Sequence, residues 1–182
     1  FIGQEAMHSH AHDNFNQFVQ DLGLDVQWIL DEEYKFAELI KSKLDHKQQL
    51  AITCALEHFT AIIAQYLLEH PEFHQQLDPQ VAKLWMWHAL EETEHKAVAF
   101  DVYQTVFADQ KIRKRTMRII TCTFTSRISY LTLRLLLADP AGRKQWRQHL
   151  QGLKLLKEMI GSLIPLYLDY YDNQFHPNQH DS

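Results

Sequence analysis

Apolar residues along this chain return every three or four positions through long stretches, a period that predicts helices throughout. Six runs are expected, at about 1–22, 25–44, 47–69, 79–107, 111–138 and 140–171. In the first, Phe1, Glu5, His8, His12, Phe15 and Phe18 or Val19 share the inward side, and Gly23 stands just past its end. The second carries a stripe of Val26, Ile29, Leu30, Tyr34, Ala37, Ile40 and Leu44, with Asp31, Glu32 and Glu33 as a solvated face. The third is more apolar and has Glu57 at its centre, on a face of small residues (Thr53, Thr60, Ala61, Ala64) that implies a buried carboxylate. His70-Pro71 closes it, and Asp78-Pro79 opens the fourth with an N-cap and a proline at the first helical position. Trp85 and Trp87 within that run are expected to pack.

The fifth run begins with a basic cluster, Lys111, Arg113, Lys114, Arg115 and Arg118, and then turns apolar. Arg118, Arg127 and Arg134 argue against a membrane span, since each costs about 2.5 to 3.5 kcal/mol at a bilayer centre. Contact with a membrane surface is the lesser option. Asp139-Pro140 caps the last run, whose inner side is expected to hold Trp146, Leu150, Leu153, Leu156, Ile160, Leu163 and Leu166, with a kink at Pro165. The tail around Phe175-His176-Pro177 reads as a docked extended end.

With 182 residues and 46% apolar content, the chain is expected to form one all-α domain, 1–182. A net charge of -5 disfavours nucleic acid as a partner. Cys54 and Cys122 lie in apolar helical patterns, which predicts neither a disulfide nor a thiolate metal site and fits a reducing cytoplasm. No secretory signal, glycine-rich phosphate loop or Gly-x-Ser-x-Gly is present. The chain starts at Phe1 already inside a helical pattern, so upstream residues are expected. The 12 histidines matter through their clustering in the first twelve residues and around His88 to His95; His46, His70 and His74 fall near loops and are expected to be solvated.

The chemistry concentrates in those clusters. On a helix His88, Glu92 and His95 fall within roughly 60° of one another, so two imidazoles and a carboxylate share a face. Glu-x-x-His on a helix is half of a two-metal site in a helical bundle, and Glu5-Ala6-Met7-His8 supplies the second copy, continued by His12 and Asn16. Glu57 lies between the copies in sequence. The predicted ligands are therefore Glu5, His8, Glu57, Glu92 and His95. Glu91 is expected to support them, Glu94 and Lys96 to point outward, and Asp101 to satisfy another helix. The order matches helices two to four of a ferritin-like bundle, so the Glu of helix one is expected upstream, with His12 or His88 as rival donors.

The stretches from Phe1-Ile2-Gly3-Gln4-Glu5-Ala6 to His8 and His12, Leu56 to Thr60, Trp87-His88-Ala89 to Glu91-Glu92, Glu94 to Asp101, and Phe175-His176-Pro177 together resemble the bacterial family called predicted metal-dependent hydrolases, within the ferritin-like superfamily. The likeness covers nearly the whole chain. It implies a ferritin-like bundle of runs 1–22, 47–69 and 79–107 with the other three as covering helices, and a first bundle helix lying upstream. Two transition-metal ions are implied, iron first, with manganese or zinc as alternatives. The resemblance suggests an oxidase or oxygenase, and the apolar faces of the helices after Phe107 suggest a small, hydrophobic substrate. Hydrolysis by a metal-activated water is the alternative, and non-catalytic metal binding a third reading.

Overall fold

A computed structural model describes residues 2–75, 77–138 and 144–180. Among them the chain is all-α, with no strand. The helices are α1 (Ile2–Asp21), α2 (Gln27–Lys43), α3 (His46–Glu69), the single turn α4 (Pro71–His74), α5 (Pro79–His95), α6 (Val98–Val106), α7 (Gln110–Ala138) and α8 (Trp146–Asp169), followed by a 3-10 turn, Pro177–His180. They group into two compact units. One comprises Phe1–Asp45 and Cys122–Leu150, the other His46–Thr121 and Gln151–Ser182.

In the first unit α1 stops where Gly23 turns to φ 87. The Gly23 amide then donates to Gln20 O and the Leu24 amide to Val19 O, satisfying carbonyls that a helix end leaves open. Asp25 starts α2 by accepting from the Gln27 amide with Oδ1 and from the Trp28 indole with its carbonyl. The apolar stripe expected on α2 is buried only at Val26; Ile29, Ile40 and Leu44 are half-buried, and Leu30, Tyr34 and Ala37 are exposed. Glu32 and Glu33 are more than a solvated face, for both grip Arg127 of α7, at 2.7 and 2.8 Å. Arg134, a turn or two further on, lies 4.0 Å from the centre of the Trp28 ring.

The second unit is built on α3, which packs mainly against α5 and α6. Its buried face reads Ala51, Cys54, Ala55, His58, Ala61, Ile62 and Ala64, small side chains that let neighbouring helices come close. The expected burial of Glu57 is corrected here: Glu57 is half-buried, and the adjacent His58 occupies the buried position. Asp78 caps α5 by accepting from the Gln80 amide at 2.9 Å, ahead of Pro79. The single helix expected over 79–107 is interrupted after His95. Lys96 (φ -50, ψ -28) and Ala97 (φ -93, ψ -21) keep helical dihedrals and form a turn between α5 and α6. Trp87 is exposed, contrary to expectation, and Trp85 half-buried. His70 is not a solvated loop residue, since it stacks on Tyr66 at 3.9 Å.

Arg113, one of the basic cluster at the start of α7, is buried. It is 0% exposed and lies over the rings of Tyr170, Phe100 and Phe175, at 4.6, 5.3 and 5.8 Å. Its guanidinium donates to Tyr170 O, Asp172 O and Gln110 Oε1, so a long-range aromatic cage and three acceptors replace the water lost. The Asp139-Pro140 cap and the Trp146 side chain lie outside the described residues. α8 itself begins at Trp146 rather than near 140 and runs through Pro165. Of its expected inner side only Leu163 and Leu166 are half-buried; Leu150, Leu153, Leu156 and Ile160 are exposed. Among the described residues α3 is long and apolar enough to cross a membrane by length and composition, with 44% of its apolar window buried; α7 is not.

Candidate metal centre

The donors on α1 fall on one side of that helix. Glu5, His8, His12 and Asn16 are all half-buried there, while Gln4, Met7 and His10 face out. The His8 and His12 rings stack with centroids 4.7 Å apart, and their Nε2 atoms approach to 3.0 Å. Two imidazoles bound to one ion at about 2.0–2.1 Å bring neighbouring nitrogens to about 2.9–3.4 Å, so this pair is already spaced to chelate. One turn of helix suffices for the arrangement because residues four apart stand one above the other.

On α5 the donors form a continuous arc: His88 Nε2 stands 3.6 Å from Glu92 Oε1, and Glu91 and His95 are the buried pair beside them. Glu91, assigned a supporting part from sequence, is only 4% exposed, and His95 only 6%. Glu92 remains in the arc but is less enclosed than Glu91. Glu94 is exposed as expected, and Trp85 meets His88 edge-on at 5.3 Å. Leu84 and Ala89 pattern the helix, but no sequence signal separates Glu91 from Glu92 in burial. Adjacent acids both sit near the apolar side of the helix.

On α3 Glu57 is within the electrostatic reach of Cys54, whose thiol burial pushes up to about 12; Arg113 opposes that rise and Glu57 adds to it. His58 was not singled out in the sequence as a site residue, and it is among the buried polar groups. Its Nε2 lies 3.2 Å from Leu166 O, and its ring packs against Tyr170 and Phe175 at 4.9 and 5.2 Å. That engagement makes His58 a structural imidazole. The signal that could have found it is its place on the small-residue stripe from Ala51 to Ile62.

A family model described as predicted metal-dependent hydrolase matches residues 1–181. The chain belongs to that family. No curated protein and no solved structure matched it. In this member of the predicted metal-dependent hydrolases the available donors are carboxylate oxygens and imidazole nitrogens, a set that suits zinc, manganese or iron. The converging nitrogens of His8 and His12 fit such an ion, and the buried Glu91–His95 pair is the kind of enclosed acid and imidazole that a cation stabilises.

Proposed function

We propose that this chain is a metal-dependent hydrolase of a small ester or amide. The observation that carries the reading is the approach of His8 Nε2 to His12 Nε2, in a chain whose family is described by metal-dependent hydrolysis. The proposed ligands are Glu5, His8, Glu57, Glu92 and His95, with His12 and His88 as further imidazoles and Asn16 beside them. These donors are of the ferritin-like kind that holds two ions, of zinc, manganese or iron. An ion held by these residues would supply a water of lowered pKa and Lewis-acid polarisation of the scissile carbonyl.

The chain's own residues do the rest. Imidazoles bind as neutral donors, and the carboxylates offset the charge of the ion. Glu92, 3.6 Å from His88, orients that ring. Glu91, enclosed on the same arc, is the group that takes a proton at a carboxylate oxygen and returns it to the leaving group.

The test is reconstitution of the chain with zinc, manganese or ferrous iron in turn, followed by anaerobic assay on ester and amide panels. Turnover without oxygen is expected, abolished by His95→Ala together with loss of metal. Glu91→Gln should keep its metal and lose roughly 10²–10⁴ in rate. Failure to bind any of the three ions, or oxygen consumption by the ferrous form with no anaerobic turnover, overturns the proposal.

A further inference from the structure

We infer that the C-terminal Phe175-His176-Pro177 segment is a clamp on the α5–α6 junction that holds His95 in place, an inference that rests on the metal-ligand reading of His95. His95 is the last residue of α5, and the helix resumes only at Val98. At such an end fewer backbone hydrogen bonds fix a side chain's direction, so its direction depends on what packs against the junction.

The tail packs there from three sides. Phe175 is buried and meets Phe100 of α6 edge-on at 5.5 Å and His58 of α3 at 5.2 Å. Pro177 closes a small cavity with Thr93 of α5, Lys96 of the junction, and His58, Ala61 and Ile62 of α3. His176 completes the hold. Its Nδ1 accepts from the Asn178 amide at 3.2 Å, which leaves the proton on Nε2, and Nε2 donates to Asp101 of α6 at 2.8 Å. That pair is solvent-exposed and so contributes little to stability. What it does fix is the register of the tail against α6. Arg113 anchors the clamp at its root through Tyr170 O and Asp172 O.

The experiment uses the full chain and reads two quantities: amide hydrogen exchange at residues 95–101 in metal-free protein, and affinity for zinc. Phe175→Ala should speed exchange at the junction about tenfold or more and weaken zinc binding by about 10- to 100-fold, and His176→Ala, which removes an exposed pair, should do each by about two- to fivefold, while α1 amides stay unchanged. Phe175→Leu and His176→Gln should restore both, because leucine refills the pocket and glutamine can still donate to Asp101. Junction exchange that is unchanged in His176→Ala, or raised equally over the whole chain, overturns the clamp. Wild-type protein that binds zinc, with tail variants that bind it equally, overturns the link to His95 and leaves the hydrolase reading intact. If wild-type protein binds no zinc, manganese or iron, the hydrolase reading fails, and the link to His95 fails with it.

Discussion

Arg113 concentrates the chain's most unusual energetics in one residue. A cation with no solvent exposure survives because three aromatic faces and three oxygen acceptors surround it; burial lowers the pKa of its guanidinium, and Tyr170 acts against that fall. Truncation would strand the carbonyls of Tyr170 and Asp172, so Arg113→Ala should cost about 3 kcal/mol or more by chemical denaturation. Arg113→Lys should recover part of that, since one ammonium cannot fork to both carbonyls. In sequence Arg113 is one cation among five, and neither Tyr170 nor Phe175, more than fifty positions away, could be assigned to it. The partners of His58, Leu166, Tyr170 and Phe175, are as remote, although its place on the buried stripe of α3 was readable. Helical periodicity tells which side of a helix faces in, yet adjacent residues near that edge are sorted by partners distant in the chain. The common side of Glu5, His8 and His12 was legible because their i, i+3 and i+7 spacing fixes it locally.

The start of α5 was readable because a side chain makes it, whereas Asp109, which caps α7 through the Ile112 amide, was not singled out. Asp78 ahead of Pro79 caps α5 through the Gln80 amide, and Asp78→Ala should lower thermal stability by about 1 kcal/mol with no change at Gly23, where a positive φ rather than a side chain ends the helix. The interruption between His95 and Val98 had no such marker. Lys96 and Ala97 are good helix formers with helical dihedrals, so nothing in their chemistry announces a gap. α8 teaches a different limit. Its apolar residues recur at helical spacing and yet Leu150, Leu153, Leu156 and Ile160 are exposed, because a period identifies a face without naming what covers it.

At the scale of the molecule the all-α class followed from periodicity, and the family from a handful of helix-borne motifs at matching spacing. The ionisable groups predict how the chain responds to pH. Burial raises Cys54 from 9.0 and Tyr103 from 10.0, each to about 12, and also raises Tyr170 and Tyr171. Each is an acid whose folded pKa exceeds its unfolded one, so the stability it contributes is complete below about pH 9 and is lost as pH climbs through about 12. All four belong to the unit formed by His46–Thr121 and Gln151–Ser182. Alkaline titration followed by hydrogen exchange should therefore open α3 and the first part of α7 before α1 and α2; simultaneous opening would contradict the assignment. The apolar character of α3 has a further consequence during synthesis. α3 leaves the ribosome about 26 residues ahead of the end of α5, the helix that covers it, and at roughly 5–20 residues per second it waits on the order of one to five seconds for that partner. For that interval the nascent chain displays a segment with the length and hydropathy of a membrane span, open to any factor that screens emerging chains for one.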